Sequence, residues 1–157
     1  TVGKNTTIYT RVNWYKQFAY WPNVKCVPNL PYEGDKRQDD QFHWGTGQFA
    51  ALVGMNFKPK AIFLVGMDLY GLGKDDKPEN VNNIYKGSKG YTYIKRPVDP
   101  RYWIYQFNKL FQHSECRWIV VNNENWKMPD EWKANKNVFQ DTYEGLAKWI
   151  NNQLTKK

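Results

Sequence analysis

The stretch that decides the fold runs from His43 to Gly71, HWGTGQFAALVGMNFKPKAIFLVGMDLYG. Its first half, TGQFAALVGMNF, predicts a helix with Thr46 as N-cap and with Phe49, Leu52, Val53 and Phe57 on one face. The KPK triplet at 58–60 stops that helix. The run AIFLVGM that follows is continuously apolar and of strand length, which predicts a central strand buried on both faces. A helix leading into such a strand argues for an α/β fold with a mostly parallel sheet.

Working outward, TTIYTRVNW alternates β-branched and aromatic residues and predicts a strand over about residues 6–12. YKQFAYWPN reads equally as a short helix or a loop, and VKCVP as a short strand stopped by Pro28. NLPYEGDKRQDDQFHWG is a long polar loop, of a length that often accompanies function. Downstream of Asp68 lies a second long loop rich in Gly, Asn, Lys and Tyr. A helix is expected from DPRYWIYQFNKLFQ, with Asp99 as N-cap and Pro100 at the first helical position. CRWIVVN reads as a buried strand, NENWKMPDEW as loop, NVF as a short strand, and TYEGLAKWINNQL as a terminal helix capped by Thr142. The rhythm is β-β-α-β-α-β-β-α, a Rossmann-like sheet flanked by helices, read as a single domain over residues 1–157.

Composition narrows the function classes. The net charge is +8, which favours anionic partners, although the lysines are spread along the chain. No apolar run approaches 18 residues, so no membrane span is expected. The opening TVGKNTTIYT carries no signal-peptide pattern, and a cytoplasmic location is the expectation. The two cysteines, Cys26 and Cys116, fall in expected strands with no CxxC or metal spacing and read as buried free thiols. Aromatic residues make up 17% of the chain, with 8 Trp and 11 Tyr. That is more than one core needs, so some rings should be exposed and able to stack on sugars or bases.

Three constellations can carry chemistry. Gly45-Thr46-Gly47 opens a helix, where unpaired N–H groups and the positive dipole end suit an anion and glycine allows close approach. His43 directly precedes this turn and is either a loop residue or a base. Asp68 ends the apolar strand, where open parallel sheets bind ligands; it either does chemistry or pins a loop, and Tyr70 beside it is a core ring or a stacking surface. NNIYKG brings Asn83, Tyr85 and Lys86 together, groups that suit sugar and phosphate oxygens. His113 ends a helix and reads as a partner of its dipole. No Ser-His-Asp arrangement, Walker A motif or post-strand GxGxxG is present.

The segments GTGQFAAL, KAIFLVGMDLY and NNIYKG together resemble the core of bacterial sialyltransferases of the Campylobacter type, over roughly residues 2–122. The resemblance implies a CMP-sugar donor site at the carboxyl ends of a parallel sheet. Gly45, Thr46 and Gly47 would meet the nucleotide or sugar, Tyr85 the donor phosphate, and Asp68 would match a strand-end carboxylate of structural role. It also implies chemistry without a metal or other cofactor. Two features depart from the family. No His precedes the helix that starts near Pro100, where Asp99 is the nearest ionisable group and reads either as base or as cap. The family's first strand and its glycine-rich turn are absent, so the chain is truncated or has lost part of the donor site.

The expected function is therefore a glycosyltransferase core using a nucleotide-sugar, with Asp99 or His43 as the base. The alternative is a non-catalytic module that binds a glycan or nucleotide on the same fold. Nucleic acid is a weaker expectation, because no RRM, KH or zinc motif accompanies the charge. The oligomeric state is not legible in the sequence.

Overall fold

The computed structural model describes residues 5–69 and 100–155. The expectations placed on Tyr70, Asn83, Tyr85, Lys86 and Asp99 lie outside these described residues. The chain divides into two compact units, residues 1–59 and 60–157.

The first unit opens with β1 (Ile8–Thr10), α1 (Val12–Phe18) and β2 (Val24–Cys26). The two strands pair in parallel, Ile8 with Val24 and Thr10 with Cys26, so the trio is a small βαβ unit. The strand expected over about residues 6–12 is thus shorter, and the ambiguous segment divides, helical through Phe18 and turn from residues 19 to 23. The polar loop after β2 contains two 3-10 turns, Arg37–Asp39 and Gln41–His43. Its organising group is the buried Asp39. That carboxylate accepts from the Tyr32 hydroxyl and from the Lys36 backbone N–H, both at 3.0 Å. A Cβ at Gly34 would collide with Asp39, so the loop packs on its own hub.

Helix α2 (Thr46–Asn56) follows. Its N-cap is Gly45, in extended conformation, and not Thr46 as expected. Thr46 is the first helical residue, where its hydroxyl cannot reach back to the first-turn N–H groups. Phe49 and Leu52 are buried as expected, together with Trp44, whose ring lies 5.7 Å from that of Phe49. Phe57 is 69% exposed, because the helix ends one residue before it. Lys58 follows in the left-handed region (φ 50°) and, with Pro59, stops the helix where KPK was expected to.

The second unit is a three-stranded parallel sheet in the order β3 (Ala61–Val65), β4 (Arg117–Val121), β5 (Val138–Asp141). Ala61 pairs with Arg117, and Trp118 with Val138. Among the described strands the central place belongs to β4, not to β3 as expected. Trp118, Val120 and Val121 are fully buried, whereas Val65 of β3 is half exposed. Among the described residues three helices accompany the strands: α3 (Arg101–Gln112), the short α4 (Asp130–Lys133) and α5 (Tyr143–Leu154). Pro100 is the N-cap of α3, one residue later than the Asp99 cap expected; boundary shifts of this size are common at fraying ends. Helix α4 forms inside a segment read as loop, with Asp130 and Glu131 favouring its positive end. Among the described residues strands alternate with helices, so the fold is an α/β Rossmann-like alternation with parallel sheets.

An aromatic cluster forms the core of this unit. Trp132 is fully buried and meets Phe107 and Phe111 edge-on at 5.6 and 5.3 Å, while Phe111 also lies 5.1 Å from Trp118. Edge-to-face pairs add to area burial because the ring edges are positive and the faces negative. The indole donors are satisfied: Trp132 Nε1 donates to the Ile104 carbonyl at 2.9 Å, and Trp118 Nε1 to Ser114 Oγ at 3.2 Å. Asn137 Nδ2 donates to the carbonyls of Phe111 and Ser114, at and just past the end of α3. His113, the C-cap of α3, lies 2.8 Å by its Nδ1 from the Lys109 carbonyl oxygen, in keeping with its expected place at the helix end. Cys116 is buried and Cys26 half-buried, both as free thiols. No described helix is long and apolar enough to cross a membrane.

Candidate functional site

In the first unit a cavity of about 610 Å³ opens where the carboxyl ends of β1 and β2 meet α2. One wall is Tyr9, Thr10 and Arg11 at the end of β1, with Trp14 on α1 and Val27 just after β2. The other wall is the face of α2 that carries Thr46, Phe49, Ala50 and Val53. This face follows from helical periodicity, since residues three and four apart fall on one side. The small residues Ala50 and Gly54 leave the room, and Phe49 closes the base of the wall against Trp44. Parallel α/β units place their ligands at strand carboxyl ends because the following helix N-termini converge there.

Among the described residues Arg11 is the one charged residue on the cavity wall. It caps α1 from the end of β1, and its guanidinium lies 5.8 Å from the Phe49 ring centroid. Its Nη1 donates to the Phe42 carbonyl at 3.1 Å. Arg11, Tyr9 and Trp14 were not identified from the sequence. The available signal was the point at which alternation stops, Thr10-Arg11, but reading the strand through residue 12 hid the βα junction.

Of the expected site residues, Thr46 lines this cavity, and Gly45 and Gly47 flank it on the first turn of α2. His43 sits in the preceding 3-10 turn and is not on the cavity wall. Its Nε2 accepts from Arg37 Nε at 3.2 Å, which engages the lone pair a general base needs.

Asp68 belongs to the second unit, three residues past the end of β3. The backbone around it is shaped by two positive φ values, 75° at Gly66 and 56° at Leu69; the second is uncommon for a residue with a side chain. The Asp68 carbonyl accepts from Trp126 Nε1 at 2.8 Å. Burial pushes the Asp68 carboxyl up from its ordinary value of 3.8, and the Asn122 side chain pulls it back by less. Asn122 is fully buried at the end of β4, its Oδ1 accepting from the Asn123 N–H at 2.8 Å. Its Nδ2 makes no hydrogen bond of good geometry, so the amide acts on Asp68 as an electrostatic neighbour without closing a bond. Asp141 ends β5 on the same edge of this sheet, and its backbone carbonyl accepts from the Asn122 N–H at 3.0 Å.

Among the described residues no cluster of His, Cys, Asp and Glu could hold a metal ion. No family model, no curated protein and no solved structure matches the chain.

Proposed function

We propose that the chain is the core of a glycosyltransferase that uses a nucleotide-sugar donor, with the nucleotide end seated in the cavity of the first unit. The observation that carries this reading is the position of that cavity, at the carboxyl ends of two parallel strands and beside the first turn of α2. The resemblance of the Gly45–Tyr70 segment to sialyltransferase cores makes a CMP-sugar the donor to try first. A group of the acceptor itself would then take the hydroxyl proton, because His43 is engaged by Arg37.

The test is a thermal-shift titration with CMP, CDP, UDP, GDP and CMP-sialic acid. A ligand at one hundred times its Kd stabilises a fold by about 2.7 kcal/mol, a shift of a few degrees. A selective CMP shift that weakens in Thr46→Ala supports the reading. Absence of a shift with every nucleotide overturns it.

A second reading is a non-catalytic binding module. It is favoured by one observation: no carboxylate and no imidazole lines the cavity among the described residues. Release of CMP from CMP-sialic acid in the presence of sugar acceptors separates the two, since a binding module would hold the donor without consuming it.

A further inference from the structure

The cavity wall has a chemistry more specific than its position. Among the described residues it is built from aromatic and small apolar side chains, with two threonines and a single charge, Arg11. Among the described residues no acidic side chain on the wall neutralises that charge. One of the five N–H donors of the guanidinium is engaged by the Phe42 carbonyl, and the plane is steadied near Phe49. These two contacts hold the group without discharging it. Around it, Trp14 is 52% exposed and Tyr9 half-buried, so ring surface is presented at the mouth of a cavity large enough for a small ligand.

We propose that Arg11 is the specificity-determining residue of this cavity, and that the ligand is a ring compound bearing one oxyanion group, which pairs with the guanidinium while the ring lies against Trp14 and Tyr9. The inference rests on the reading of the cavity as the ligand site of the first unit. Guanidinium suits this task because its planar fork matches a phosphate or a carboxylate with two parallel hydrogen bonds. The aromatic surface supplies affinity without selecting one ring over another. Two sources share this chemistry, a nucleoside monophosphate and an acidic sugar.

The experiment is a tryptophan-fluorescence titration of the full chain, and of Arg11→Gln and Arg11→Lys, with CMP against cytidine and with glucuronate against glucose. Circular-dichroism melting checks that each variant is folded. The expected result is that one anionic compound binds about ten- to a hundredfold more tightly than its neutral counterpart, the range a charge-assisted pair supplies. Arg11→Gln should reduce that preference to about one, and Arg11→Lys should keep part of it, since the charge stays and the fork is lost. If Arg11→Gln does not fold, the same ratio read in Arg11→Lys decides the matter. A CMP preference that survives unchanged in a folded variant overturns the role of Arg11 and leaves the nucleotide reading standing. Arg11-dependent binding of glucuronate without any nucleotide binding does the reverse. Equal binding of anionic and neutral compounds by the unaltered chain overturns the inference outright.

Discussion

The indole N–H of Trp126 donates to the backbone carbonyl of Asp68 at 2.8 Å, and so ties the loop after β4 to the end of β3. Trp126 is itself buried against Trp132, at 6.4 Å between ring centroids. Replacing it with Phe keeps most of the ring and removes the donor. The carbonyl is then left short of a partner in a part-buried place, which costs about 1–3 kcal/mol. Urea unfolding of Trp126→Phe checks this, and a midpoint equal to that of the parent would refute the role given to the bond.

Asp68 makes stability depend on pH with a definite sign. Burial raises its pKa in the folded chain above 3.8. Between 3.8 and the raised value the native state holds a proton that the unfolded chain has lost, so stability falls as pH rises through that window. The penalty is absent below the window and fully present above it. Asp68→Asn carries no such penalty, so its stability relative to the parent should improve from acid to neutral pH. Parallel denaturation curves whose offset does not change with pH would exclude this.

Two threonines at helix starts should behave differently. Thr142 is the N-cap of α5 and accepts from the Gly145 N–H at 3.1 Å. Thr142→Ala should cost about 1 kcal/mol. Thr46 makes no such bond and lies inside α2, so Thr46→Ala should stay within about 0.5 kcal/mol of the parent. Thermal melts of both variants decide it, and an equal loss in the two would mean that Thr46 has a structural duty not accounted for by the helix end.

Gly145 lies in the first turn of α5, where alanine would ordinarily gain up to about 1 kcal/mol of helix propensity. A Cβ there would meet the Asp141 carboxylate, which accepts from the Thr142 N–H at 2.8 Å. Gly145→Ala must turn that carboxylate away and give up its bond. The expected result is a net loss of stability, and a raised melting temperature would show that Asp141 moves at no cost.

Several elements were legible because their cues are local. The Thr142 hydroxyl sits before a helical pattern, the AIFLV run is apolar without interruption, and KPK cannot continue a helix. The parallel α/β class follows from those pieces. What was not legible depends on partners far along the chain. Helix α1 buries no residue and leaves Val12, Trp14 and Phe18 exposed, so its apolar residues do not mark a core-facing side. Asp39 reads as one more charge in a polar loop, and only Tyr32 and the Lys36 N–H make it a buried hub. Asn122 looks like a turn residue in VNNEN, yet it is fully buried at the end of the central strand of its sheet. Within the candidate site, Thr46 was visible as the start of α2, whereas Arg11 needed the position of the βα junction before its charge acquired a cavity to serve.

The parallel register of the second unit also sets an order of assembly. Trp118 finds Val138 by closing a loop less than half as long as the one that brings Ala61 to Arg117. Shorter loops close at a lower entropy cost, and the described strands of this sheet form no hairpin to offer a faster start. During synthesis β3 emerges before its partner β4. The last third of the chain can form its β4–β5 pair around Trp118 and Trp132 before β3 is recruited. The end of β3, with Asp68, would then be among the last parts of this unit to reach its final geometry.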